Sequence, residues 1–292
     1  MAIAFSRMEK PLRQLRALLG QFPQDPAPRA VHRLRTRSRQ VEALAAALPP
    51  SGEKLTRRLL KSIKSVRKAA GRVRDMDVLA AHAHTLPAEP CGAALPRLIA
   101  HLGQSREKHA RELLQTIAER RKTARDSLKS YARQMEIGKD SAAFAREAEE
   151  LVHAAEARIT AEISRRPTLT ARNLHAFRLK VKELRSTLQL LSAPDRDFID
   201  ALGVVKDRIG EWHDWLQLGK TAAQVLDAHQ DRALLAAIQV TRRHKLREAL
   251  LSAQSLRQAL LERSPGKPPR KPPLAERRPP GLPVTARPNR VA

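Results

Sequence analysis

Apolar residues recur along most of the chain at spacings of three and four, the period of a helix that buries one face, and no stretch alternates as a half-buried strand would. The pattern predicts a short basic helix over 6–20, then a linker holding Pro23, Pro26 and Pro28 outside regular structure. A second helix runs to about Leu48, with Leu34, Val41, Ala45 and Leu48 on its packing side, and stops at Pro49, Pro50 and Gly52. From Glu53 to about Ala70, Leu55, Leu59, Ile63, Val66 and Ala70 face one way while Lys54, Arg58, Lys61, Lys64, Lys68 and Arg72 line the other. Gly71 to Asp77 reads as a break and restart, Gly ending one helix and Asp capping the next over 75–86. After Pro87, Pro90 and Pro96 a long helix is expected over 96–135, another from Ser141 to Arg165 closed by Pro167, and further helices over 195–209, 213–228 and 231–263.

One segment returns in altered form. Val31-His32-Arg33-Leu34-Arg35-Thr36-Arg37-Ser38-Arg39 is matched, 143 positions later, by Leu174-His175-Ala176-Phe177-Arg178-Leu179-Lys180-Val181-Lys182. At about 100° per residue, His32, Arg35 and Arg39 share one side of a helix. His175, Arg178, Lys182 and Arg185 do the same, opposite Phe177, Val181, Leu184, Leu188 and Leu191. Thr170 or Asn173 can cap this second helix. Gly71-Arg72-Val73-Arg74-Asp75 likewise returns as Gly210-Glu211-Trp212-His213-Asp214, shifted by 139. The chain is therefore a duplication, each half reading as about four helices, in an all-α fold with a first half over about 5–135 and a second over about 141–263.

Composition supports helix and adds a strong electrostatic constraint. Aromatics make up 3% of the 292 residues and Gly is sparse, whereas Ala, Leu, Arg, Lys, Glu and Gln, all good helix formers, dominate. The formal charge is +26, a self-repulsion that calls for a polyanionic partner: nucleic acid, an anionic membrane or free polyphosphate. Residues 29–74 hold fourteen Lys and Arg against Glu42 and Glu53, without the interleaved acids that limit repulsion on an ordinary solvated helix. Cys91 is the lone cysteine, which excludes an internal disulfide framework and suits a reducing cytoplasm. No apolar run is long enough to span a membrane, and the basic start has no signal-peptide core. The last 29 residues, 264–292, contain nine of the twenty prolines together with basic residues such as Arg277 and Arg278, and they read as a disordered tail.

A linear polyanion needs closely spaced cations and little else. Basic residues at i, i+3 and i+7 step about 5 Å along a helix, which keeps successive phosphates in reach. Arg supplies forked donors matched to phosphate oxygens and Lys supplies point charges. The candidate ligand residues are therefore His32, Arg35, Arg39, Arg58, Lys61, Lys64, Lys68, His175, Arg178, Lys182 and Arg185, with Arg72 continuing the stripe. Arg37 and Lys180 sit about 140° from the motif histidine; their stems either snorkel from the core or reach a neighbouring helix. Asp75 and Asp77 beside Arg72 and Arg74 fit helix capping and ion pairing better than a metal site. No Gly-rich phosphate loop or metal-phosphohydrolase ligand set accompanies the isolated pair His213-Asp214. No cofactor, metal or catalytic group is expected.

The paired His-x-x-Arg-x-[Arg/Lys]-x-[Arg/Lys] helices and the paired Gly-x-x-[Arg/His]-Asp segments resemble those of the CHAD family, the conserved-histidine α-helical domain, over residues 5 to 263. The resemblance implies two four-helix bundles related by pseudo-two-fold symmetry, with basic helix faces lining a central groove or pore that binds inorganic polyphosphate. It also implies association with polyphosphate granules in the cytoplasm. His32, Arg35, Arg39, His175, Arg178 and Lys182 fall on the motif positions. Glu42 interrupts the first stripe where Arg185 extends the second. Some members carry a triphosphate-hydrolysing tunnel domain, but no Glu-x-Glu-x-Lys signature is present here. The competing reading is a nucleic-acid-binding protein that holds duplex phosphates; single-strand stacking is disfavoured because no aromatic lies between 29 and 74. A polyphosphate-handling enzyme using a phosphohistidine at His32 or His175, and membrane-surface binding, are the remaining alternatives.

Overall fold

The computed structural model describes residues 5–47, 53–87, 89, 92–138, 142–165, 168–191 and 195–262. Among these residues there are eight helices and no strand: α1 (Phe5–Gly20), α2 (Pro28–Ala47), α3 (Glu53–Ala83), α4 (Ala94–Gly138), α5 (Ala142–Ser164), α6 (Leu174–Leu188), α7 (Arg196–Val225) and α8 (Arg232–Glu262). None is long and apolar enough to cross a membrane. The expected stop at Pro49, Pro50 and Gly52, the packing role of Leu48, Pro90, Cys91, Pro167 and the tail 264–292 lie outside the described residues.

The predicted faces are the ones that pack. Val31, Leu34, Val41 and Ala45 of α2 are buried, as are Phe177, Val181, Leu184 and Leu188 of α6. On α3, Leu59, Ile63, Val66 and Ala70 are buried while Lys54, Arg58, Lys61, Lys64, Lys68 and Arg72 are exposed. Contacts in one half have counterparts in the other: α3 packs on α4 as α7 packs on α8, and α2 packs on α1 and α3 as α6 packs on α5 and α7. The halves also touch directly, α2 against α6 and α3 against α7. One apolar cluster draws residues from all eight helices, so the core does not divide between the halves. A second cluster closes one end, where Leu79 and Ala83 of α3 meet Leu98 of α4, Trp215 and Leu218 of α7, and Leu234 of α8.

The structure corrects two boundaries. Pro28 is the first residue of α2 and not part of the linker, a position where the missing N–H is one that a helix start leaves unbonded in any case. The break expected at Gly71–Asp77 does not occur: α3 runs through it without interruption, and α7 runs through Gly210–Asp214. Neither glycine has the positive φ of a helix-ending residue; among the described residues only Gly92 does. At Gly210 the reason is space. A β-carbon at Gly71 would lie 3.6 Å from Nε of Arg35, and one at Gly210 would lie 2.6 Å from Nη2 and 3.2 Å from Cζ of Arg178. Each motif arginine lies over the glycine of the next helix, and α7 approaches more closely.

The two glycines therefore respond differently to alanine. Gly71→Ala leaves ordinary contact with Arg35 and gains helix propensity, stabilising the fold by about 0.5–1 kcal/mol. Gly210→Ala displaces the Arg178 guanidinium and shows no such gain. Urea-denaturation midpoints of the two variants check this; equal stabilisation would remove the packing role assigned to Gly210.

Candidate functional site

The motif arginines converge where the halves meet. Arg35 of α2 places Nη2 3.5 Å from Oδ1 of Asp75 on α3. Arg178 of α6 donates from Nε to the backbone carbonyl of Lys206 on α7 at 3.1 Å, and Arg185 does the same to the carbonyl of Ile199 at 3.2 Å. The two main-chain bonds fix the Arg178 and Arg185 guanidiniums through Nε while leaving the donors on their terminal nitrogens for other partners. Burial depresses the Arg178 pKa and repulsion from Arg35 across the seam adds to the fall, against the opposing pull of Asp214, Asp207 and Asp75. Arg39 is pushed down to about 10, first by burial and then by Arg35, Arg67 and Arg178, with Glu42 acting in the other direction. The aspartates also face each other: burial raises the Asp75 pKa, Arg35 opposes the rise, and Asp214 adds to it. This is a crowded cationic seam between α2, α3, α6 and α7.

Each motif histidine sits beside the fourth residue of a Gly-x-x-[Arg/His]-Asp segment. His32 is exposed in a concavity of about 510 Å³ lined also by Pro28, Arg29, Arg33 and Arg74, and its Nε2 lies 3.5 Å from the Thr36 hydroxyl. Its pKa is lowered by burial and then by Arg74, Arg35 and Lys206. His175 is half-buried and stacks obliquely on His213 of α7, ring centroids 4.7 Å apart, with its Nδ1 enclosed and without a hydrogen-bond partner. Burial lowers its pKa, and His213 and Arg178 lower it further. His213 in turn has Nδ1 3.7 Å from Oδ1 of Asp214.

Not every predicted residue joins this seam. At about 100° per residue, Lys64 and Lys68 lie on the side of α3 that carries Gly71, whereas Arg58, Lys61 and Arg72 turn at least about 80° away. Arg72 is held by Glu112 of α4 at 3.1 Å. Lys180 is neutralised by Glu162 of α5 at 2.6 Å and Glu183 at 3.0 Å, and Arg37 donates to Gln40 on its own helix at 2.6 Å. Lys182 is half-buried on α6. Glu42, which interrupts the first stripe, accepts from Arg67 of α3 at 2.6 Å. Arg67, Arg74, Lys206 and His213 reach the seam from positions outside the basic stripes. Arg74 and His213 were visible as equivalent positions of the duplicated glycine segment; reading that segment as a turn hid their direction. Asp77 is buried and bonded to Nε of Arg106 at 2.7 Å, so it diverges from Asp75, and no group of three or more metal-ligating side chains occurs among the described residues.

The sequence description of the CHAD domain matches residues 7–223. The chain belongs to the CHAD domain family. The fold agrees with that of the crystal structure of the CHAD domain from the plant Ricinus communis, at a TM-score of 0.58 and 17% identity over 88% of this chain and 89% of that one. No curated protein sequence matches the chain. The CHAD match ends inside α7, yet α8 packs along α7 and contributes to both apolar clusters. The CHAD family is associated with polyphosphate binding in general.

Two outcomes follow for this CHAD domain without ligand. Arg39 is held charged in a partly buried site among other arginines, so Arg39→Met, which keeps the apolar stem, raises the urea midpoint; the gain is of order 1 kcal/mol once solvent screening is allowed for. An unchanged or lower midpoint would mean that Arg39 is already compensated. His32 and His175 have folded pKa values below the ordinary 6.5, so protonation favours the unfolded chain. Their contribution to stability is complete above about pH 6.5 and is lost as pH falls through their folded values. NMR titration of the two imidazoles checks this.

Proposed function

We propose that this CHAD domain binds inorganic polyphosphate, without catalysis, along the seam between α2, α3, α6 and α7. The observation that carries the reading is the gathering of Arg35, Arg39, Arg67 and Arg178 within one another's field, joined by Arg74 and Lys206, so that these six cations outnumber the carboxylates Glu42, Asp75, Asp207 and Asp214. A flexible chain of phosphates supplies the missing charge, and its narrow cross-section reaches half-buried guanidiniums. His32 and His175 add donors at the two ends of the seam, Lys182 and Arg185 continue the path on α6, and Lys64 and Lys68 flank it on α3. Arg58, Lys61 and Arg72 form an outer basic surface that attracts the polyanion at longer range. The proposed setting is the cytoplasm, on polyphosphate granules.

Duplex nucleic acid is the second reading, favoured by the exposed basic stripe of α3. A rigid duplex can engage that outer stripe through its phosphates, but it is too broad to reach the seam. The two ligands therefore depend on different residues. For catalysis through a phosphohistidine, the Nδ1 of His175 is enclosed, which leaves that nitrogen little access to a phosphoryl donor.

At fixed salt, long-chain polyphosphate displaces a labelled duplex at far lower phosphate concentration than the reverse; the opposite ranking would overturn the proposal. Arg35→Ala with Arg178→Ala weakens polyphosphate binding about a hundredfold, a decade for each lost charge-assisted contact. Arg277→Ala with Arg278→Ala in the tail weakens it less than about threefold. Equal losses would mean that net charge alone decides.

A further inference from the structure

The two ends of the seam are not chemically equivalent. In the first half the residue beside the motif histidine is Arg74, which lines the same concavity as His32. In the second half the equivalent position is His213, whose ring lies 4.7 Å from that of His175. One end thus pairs an imidazole with a permanent cation, and the other pairs two imidazoles. Arginine stays charged at any physiological pH, whereas histidine changes charge between about pH 5 and 8.

We propose that the His175–His213 pair makes polyphosphate binding proton-linked, the second-half end of the seam acquiring its charge only when ligand and protons arrive together. This rests on the polyphosphate reading above and assigns a regulatory role to residues within that site.

The groups facing the pair explain why protons and ligand arrive together. From α6, His175 is followed one turn later by Arg178, whose charge disfavours a second cation nearby. From α7, Asp214 lies beside His213. From α3, Asp75 is within the field of both His213 and Arg35. From α2, Arg35 acts on Arg178 across the seam. Two imidazoliums in contact repel each other and repel Arg178, while the two aspartates are already shared with arginines. Without ligand His175 therefore stays short of protons. A bound phosphate chain reverses the balance, because its oxygens accept from both rings and the enclosed Nδ1 of His175 can take a proton whose charge is neutralised nearby. The ligand raises the affinity of the pair for protons, and protons must raise its affinity for the ligand by the same factor. At the first-half end Arg74 supplies its charge at every pH.

Affinity for long-chain polyphosphate, whose interior phosphates remain ionised, is to be measured from pH 8 to pH 5.5 at constant ionic strength. Calorimetry in two buffers of different ionisation enthalpy counts the protons taken up. The wild-type protein takes up protons on binding and gains about tenfold in affinity per pKa unit raised on each imidazole. His213→Arg, which installs the residue already accommodated at position 74, binds more tightly than wild type at pH 8 and loses most of the pH response. Arg74→His binds more weakly at pH 8 and shows a steeper response. Wild-type binding that is tight but independent of pH, or a full pH response in His213→Arg, overturns this inference and leaves polyphosphate binding intact. Absence of wild-type binding at every pH overturns both. Proton uptake by the wild type is decisive even if a variant fails to fold: none refutes the linkage.

Discussion

The structure depends on placing guanidinium groups against glycine inside helices. Arg35 over Gly71 and Arg178 over Gly210 set how closely α2 approaches α3 and α6 approaches α7. That spacing brings the halves together with cations at the join. A side chain at Gly210 would compete with Arg178 for the same space. The guanidiniums also cannot leave easily, since Nε of Arg178 and Arg185 is tied to main-chain carbonyls of α7. Charges that would swing into solvent on an ordinary helix are held together here, so their mutual repulsion is built into the join.

The arrangement separates two tasks that the overall charge of +26 would otherwise merge. The exposed lysines and arginines on α3 act over distance, in a screened environment that falls off within about 10 Å at ordinary ionic strength. The guanidiniums of Arg35, Arg39 and Arg178 at the seam are half-buried, so their interactions are stronger and depend on geometry. Acids divide in the same way. Glu162, Glu183 and Glu112 neutralise basic residues on outer surfaces, while Glu42, Asp75, Asp207 and Asp214 stay at the join, outnumbered by its cations.

Much of this was legible in the sequence because helical periodicity and internal repetition are local properties. The apolar faces of α2, α3 and α6 follow directly from spacings of three and four, and the histidine-arginine echo pointed to α2 and α6. What was illegible depended on distance in space. Gly71 and Gly210 carry the composition of a helix end, and nothing within ten residues reveals that an arginine from another helix fills the space above them. Lys180 matches Arg37 in position, yet its neutralisation by Glu162 comes from α5, across a loop. Arg58 and Lys64 belong to one exposed stripe, but only the packing of α2 on α3 gives them different surroundings. The duplicated glycine segment did hold the information that Arg74 and His213 are equivalent; its reading as a turn concealed their role.

The last helix has a practical consequence. The family match stops at residue 223, a tempting place to end a recombinant fragment, yet Leu234 and Ile238 of α8 cover the apolar surface around Trp215, Leu218 and Ala222. A fragment cut at the family boundary would carry that greasy surface bare into solution and would be prone to clump. Expression limits for this protein belong after Glu262, where the described part of α8 ends.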